Sequence, residues 1–167
     1  LRRAAIGLLR TIIENNLTIK LGDLISYSIK LLGEQGLKTK NSSTEKEILF
    51  FLKERMRNIL KEKKIRNDII EASISSHTGD NFLDLFRKSI LMNKYINKES
   101  GKNAISSYKR ASNIIEKTEN NITGRPDAVL FRQVEEKVLF EKINEVRKAF
   151  TVKEEDKNYE NLLIKLS

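Results

Sequence analysis

Two adjacent cations, Lys109 and Arg110, interrupt the stretch AISSYKRASNII at residues 104–115. Wound as a helix, Ala104, Tyr108, Ala111 and Ile115 recur at spacings of four, three and four. They share one face and are expected to pack inward. The cations then point to water. Arg110 shares its stripe with Ser106, Asn113 and Lys117, and Lys109 borders Ser112 and Asn113. That face offers cations beside amide and hydroxyl groups, the chemistry that holds an anion.

No comparable cluster points to catalysis. His77 is the only histidine, in SSHTGD, and no spacing supplies the carboxylates a metal site on it would need, so it reads as an exposed turn residue. The 7 glycines never cluster into a phosphate-cradling loop, and no serine or threonine has a base at recognisable spacing. Glu135, Glu136, Glu141 and Glu145 alternate with Lys137, Lys142 and Lys148 as on a solvated, ion-paired helix face. The sequence therefore predicts no catalytic and no metal-ligating residue.

The elements that carry the cations are helices. At 167 residues there is room for one helical domain or two small ones, and folding at this size buries roughly two thirds of the unfolded surface. Periodicity predicts helices at 2–14 and 20–32, the second ended by Gly33 and Gly36. Ser42 with Glu45 forms a capping box for a helix to about 63, with an apolar stripe of Ile48, Leu52, Met56 and Ile59 or Leu60. Further helices are predicted at about 67–75, 82–96, 102–118, 132–150 and 155–165, separated by HTGDN, NKES and NNITGRP. No run alternates with period two for long enough to be a strand. The expected fold is an all-α helical bundle of two packed helical units.

The charge is large and uneven. Lys plus Arg is 32 against 23 Asp plus Glu, a net +9, which favours polyanionic partners. Residues 1–65 carry +7, residues 66–125 carry +3 and residues 126–167 carry −1. Lys, Asn and Ile are abundant, as an AT-rich genome writes, but codon bias alone would spread the excess more evenly. The densest run, KERMRNILKEKKIR at 53–66, reads either as an electrostatic footprint or as a solvated helix end. With no cysteine and no apolar run near the roughly 20 residues that cross a bilayer, a cytoplasmic protein is expected. The opening LRRAAIGLLR reads as a helix entered in mid-course, so a segment of a longer protein is expected.

Four stretches, in order, resemble the beta subunit of the bacterial heterotetrameric glycyl-tRNA synthetases. LRRAAIGLLRTIIENN is similar to that family's Leu-Arg-Arg-Ala-Ala-x-Gly-x-Leu-Arg segment. FFLKERMRNILKEKKIRNDIIEASI at 50–74 resembles its Phe-x-x-x-Arg-x-x-x-x-Leu helix and following Asp-x-Ile-x-Ala. NAISSYKRASNII resembles its Ala-x-Lys-Arg-x-x-Asn-Ile signature at Lys109, Arg110, Asn113 and Ile114, and VLFRQVEEKVLFEKI its Leu-Phe then Glu-x-x-Leu pattern at Leu130, Phe131, Glu136 and Leu139.

The resemblance implies that residues 67–167 are the anticodon-binding domain named for an Asp-Ala-Leu-Arg motif, lacking its C-terminal end. Residues 1–66 would be the helical end of the preceding HD-like region, without the His and Asp ligands of a phosphohydrolase. It implies a glycine tRNA partner and an alpha subunit, two of each subunit in the tetramer, with glycine, ATP and magnesium bound outside this segment. This segment itself would hold no cofactor and would not catalyse alone.

Anticodon loops are read by stacking on aromatic or guanidinium planes and by hydrogen bonds along base edges, with phosphates on Lys and Arg. On that implication Lys109 and Arg110 hold backbone or bases, and Asn113 either reads an edge of one of the two cytosines that end every glycine anticodon or braces a neighbouring helix. Arg87, Lys88 and Lys94, which flank the apolar stripe of Phe82, Leu85 and Phe86, would extend the groove. Lys61, Lys63, Lys64 and Arg66 lie at the junction, where a tRNA stem would pass if they are not simply a solvated helix end. Tyr108 is expected in the core. The alternative is a basic helical scaffold for protein partners, or a non-specific RNA-binding module.

Overall fold

A computed structural model describes residues 1–37, 43–117, 126–150 and 163. Among these residues the fold is all-α, with seven α-helices, one short 3-10 turn and no strand. The helices are α1 (Arg2–Glu14), α2 (Leu21–Glu34), α3 (Thr44–Glu62), α4 (Asn67–Ser76), α5 (Phe82–Ile96), α6 (Glu99–Glu116) and α7 (Val134–Phe150), with the 3-10 turn at Ala128–Leu130. The predicted helix at 155–165 and the Ser42 half of the predicted capping box lie outside the described residues. Ser43 precedes α3 instead, its hydroxyl donating to Glu47 at 2.6 Å.

The chain divides into two compact units, residues 1–93 and 94–167. In the first, α3 is the central element, packed against α1, α2 and α4. Its predicted stripe is the inner face: Leu52, Met56, Ile59 and Leu60 are buried and Ile48 is half-buried. Leu9 and Ile12 of α1, Leu21 of α2, Ile69, Ile70 and Ile74 of α4, and Phe82, Leu83 and Leu85 of α5 complete the core. Packing carries this unit past residue 66, the junction read from the resemblance, to Asn93 within α5.

Three successive helices stop in the same way. Leu17 N–H reaches Ile12 O while Asn16 N–H reaches Ile13 O; Leu37 and Gly36 repeat the pattern on Leu32 and Gly33, and Ile65 and Lys64 on Leu60 and Lys61. These crossed bonds satisfy the last carbonyls and require a left-handed residue just past each helix. Gly36 meets that requirement freely at φ 81°, whereas Asn16 and Lys64 adopt it at 53° and 58°. Gly36, not Gly33, is therefore the residue that ends α2.

The loop HTGDN does more than break a helix. Asp80 Oδ2 accepts Gly22 N–H at 2.8 Å and its carbonyl accepts Leu21 N–H at 3.3 Å, which caps α2. Asn81 Oδ1 accepts Asp84 N–H at 3.1 Å at the start of α5. His77 is half-buried, its carbonyl takes Lys53 Nζ at 2.6 Å and its ring lies edge-on to Phe82 with centroids 6.3 Å apart. The exposed-turn expectation for His77 is thus corrected, because the loop is folded back onto α2, α3 and α5.

In the second unit, α6 begins at Glu99, three residues before the sequence predicts. Gly101, just ahead of the predicted helix start, sits in its first turn, buried, where a Cβ would meet the Tyr95 carbonyl oxygen at 2.1 Å. Only glycine lets the start of α6 approach the end of α5 so closely. At the start of α7, Glu136 accepts the N–H groups of Arg132 at 2.7 Å and Gln133 at 2.9 Å. Those bonds, Gln133 first, hold its carboxyl below the ordinary range. Phe131 meets Phe140 of α7 edge-on at 5.3 Å.

Candidate nucleic-acid interface

On α6 the polar arc forms as the sequence predicts. Lys109, Arg110 and Asn113 are exposed, together with Lys102, Ser106 and Lys117. Among the described residues no side-chain hydrogen bond or ion pair engages Lys109, Arg110 or Asn113; Lys102 pairs with Glu99 at 3.6 Å. At 100° per residue these six side chains fall in roughly a third of the helix circumference. The result is a strip of positive charge with one amide, in which Lys109, Arg110 and Asn113 have no side-chain partner among the described residues.

The opposite face does not follow expectation. Gly101 is buried and Ala104 and Ile105 are half-buried, but Ala111 is exposed, Tyr108 is 72% exposed and Ile115 60%. The expected inward packing of Tyr108, Ala111 and Ile115 is therefore corrected. The face is covered only where Gly101 brings it against the end of α5, and its C-terminal half extends past that support. A tyrosine ring thus stands exposed next to Lys109, and nothing in the periodicity could have revealed it, since an apolar helix face looks the same whether covered or bare.

The other candidates separate. Arg87 lies in the first unit and spends a guanidinium N–H on Asn16 Oδ1 at 3.1 Å; Lys88 pairs with Asp84 at 2.6 Å. Lys94 lies in the second unit, exposed near the end of α5. The dense run at 53–66 is largely engaged in structure. Lys53 binds the His77 carbonyl, Arg55 stacks over the Phe51 ring at 4.7 Å, and Arg57 bridges Glu54 and Glu71, the latter at 2.8 Å. Arg66 pairs with Asp68 at 2.6 Å. Among the described residues, Lys61, Lys63 and Lys64 are the cations of that run that remain exposed without a hydrogen bond or ion pair to an acid, so most of the run is a set of struts rather than a footprint.

These pairs also set the carboxylates. The Arg57 guanidinium, hydrogen-bonded to Glu71, holds that carboxyl below the ordinary range, and Arg66 does the same to Asp68. A hollow of about 550 Å³ beside α7 is lined by Phe131 and Phe140 with Lys137, Glu141, Asn144, Glu145 and Lys148. It brings together no nucleophile and base. Among the described residues no three His, Asp or Glu side chains gather as a metal site, and no helix is long and apolar enough to cross a membrane.

Comparison with known families matches residues 1–75 to the glycyl-tRNA synthetase beta subunit. Similar proteins extend the match to the whole chain. The glycine–tRNA ligase beta subunit of Rickettsia felis is 36% identical over 167 residues, which is all of this chain and 23% of that protein. That of Rickettsia prowazekii is 34% identical over the same length, and that of Glaesserella parasuis 33% identical over 143 residues, 86% of this chain. The chain spans about a quarter of the length of these relatives.

Proposed function

We propose that the chain is a segment of a glycine–tRNA ligase beta subunit and that it contributes a tRNA-binding surface, with the solvent strip of α6 as its centre. The observation that carries the reading is the contrast between the two basic stretches. The cations of α3 are largely tied to acids, a carbonyl or a ring, while Lys109 and Arg110 stand with Asn113 on one exposed arc with no partner among the described residues.

In this role Lys109 supplies a point charge for a phosphate and Arg110 a planar fork for a phosphate or a base edge. Asn113 sits one turn on from Arg110, where its amide both donates and accepts, as cytosine recognition demands. The anticodon loop of a glycine tRNA is the target that suits these groups, because splayed bases expose their edges and stacking faces. Lys94 extends the surface in the second unit, whereas Arg87 and Lys88 lie in the first unit and each already serves a protein contact. The division at 66 and 67 into the end of an HD-like region and an anticodon-binding domain belongs to the same proposal. So do a cytoplasmic location and the assembly with an alpha subunit, which would hold glycine, ATP and magnesium.

Filter binding of a glycine tRNA to the full chain at two salt concentrations tests the reading. Affinity should fall steeply with salt, each phosphate contact adding roughly 0.7–0.9 to the log–log slope. No binding at low salt would favour a scaffold for protein partners instead.

A further inference from the structure

Helix α2 is apolar around more of its circumference than its packing uses. At 100° per residue, Leu24, Tyr27, Leu31, Leu21, Leu32, Ile25, Ile29 and Gly22 sweep an arc of roughly 200°, about twice what a helix on the surface of a bundle needs. One half of the arc faces α3 and the core, where Leu21 and Gly22 are buried and Ile25 and Ile29 half-buried. The other half is bare: Leu24 is 44% exposed, Tyr27 60% and Leu31 40%, and the one hydroxyl among them, Ser28, is turned back onto the Leu24 carbonyl at 2.8 Å. Its edge beside Tyr27 carries Asp23 and Glu34, both exposed and without an ion pair among the described residues.

We infer that this outer half is a seam within a longer subunit, covered by an apolar surface from another part of the same polypeptide whose rim carries Lys or Arg opposite Asp23 and Glu34. The inference rests on the reading of the chain as a segment of a beta subunit, because what supplies the cover is the length of the relatives: this chain aligns to only 23% of the Rickettsia felis subunit. A contact in cis needs no binding partner at matching concentration, so a modest stripe of three side chains suffices once the chain tethers the two surfaces. The mixed character of the stripe, two-fifths to three-fifths exposed rather than fully bare, also suits a contact between regions of one chain.

Hydroxyl-radical footprinting reads the seam on the 167-residue chain and on the complete subunit encoded by the same gene. Leu24, Tyr27 and Leu31 should oxidise as exposed side chains in the first and several-fold more slowly in the second. The triple variant Leu24→Gln, Tyr27→Gln, Leu31→Gln should melt close to the unmodified 167-residue chain, yet lower the melting temperature of the complete subunit. Equal oxidation in both forms overturns the seam. So does concentration-dependent dimerisation of the 167-residue chain that the triple variant abolishes, since the cover is then a second copy. A gene that encodes no longer subunit removes the segment reading itself, and that is settled by its length alone, separately from any footprint.

Discussion

Gly22 donates its backbone N–H to Asp80 Oδ2 at 2.8 Å, so the first turn of α2 is closed by a carboxylate 58 residues further along the chain. A Cβ at position 22 would lie 2.7 Å from that oxygen and 3.1 Å from Glu45 Oε1. Asp80→Ala should cost about 1 kcal/mol and Gly22→Ala about 1–2 kcal/mol, as losses of a helix cap do. The double variant should cost less than the sum, because both remove the same bond. Urea unfolding of the three variants checks this; full additivity would mean that the two residues act independently.

Gly101→Ala should be more damaging than an ordinary substitution in a first helical turn. The added carbon would meet the Tyr95 carbonyl at 2.1 Å, and backbone cannot move aside as a side chain can. Overpacking of this kind costs about 1–3 kcal/mol. Hydrogen exchange should show the loss first in the amides of α6.

Lys64→Gly is expected to stabilise the chain. Lys64 holds a left-handed φ of 58° at the end of α3, which costs a residue with a Cβ about 1–2 kcal/mol, and glycine returns part of that through its looser unfolded state. A net gain of about 0.5–1 kcal/mol in urea midpoints is the expected result. Lys63→Gly, at the C-cap with a negative φ of −78°, should show none.

Acid should weaken the first unit. Glu71 is held below its ordinary value of 4.5 by Arg57, and Asp68 below 3.8 by Arg66. A lowered carboxylate adds stability that is present above its ordinary value and lost as pH falls through its folded value. Urea midpoints should therefore begin to drop once pH falls below the ordinary values of 4.5 and 3.8 and go on dropping through the lower folded values. Glu71→Gln should flatten part of that drop; an unchanged slope would show that the Arg57 bridge contributes nothing.

On α6, Lys109→Ala with Arg110→Ala should leave melting unchanged and weaken tRNA binding, since both side chains are exposed and alanine favours helix. Tyr108→Ala should also melt near the parent, because a ring 72% exposed leaves no cavity behind. Early melting of the Tyr108 variant would show that its ring is covered after all. Normal tRNA affinity in the double variant would remove α6 from the binding surface.

Helix positions were legible in the sequence because apolar spacing reports them directly. Leu52, Met56, Ile59 and Leu60 could be assigned to the core without a structure. Tyr108 and Ile115 could not, because their burial depends on a neighbour that periodicity does not specify. The same limit applied to charge. KERMRNILKEKKIR reads either as a footprint or as a solvated helix end because sequence shows the cations but not Glu71 or the His77 carbonyl, which reach them from α4 and the loop beyond it. That Lys109, Arg110 and Asn113 share one exposed face was legible, because helical spacing sets that face without tertiary information.

The cap on α2 also fixes an order of events during synthesis. Residues 21–34 leave the ribosome well before Asp80 exists, so α2 emerges with its first amides open and its wide apolar arc uncovered. A nascent chain paused anywhere between those points carries a helix that is started but not closed, the state most exposed to chaperones and to misassociation. Completion of this unit is therefore tied to translation of the HTGDN loop, and codon choice between residues 34 and 80 becomes a lever on its yield.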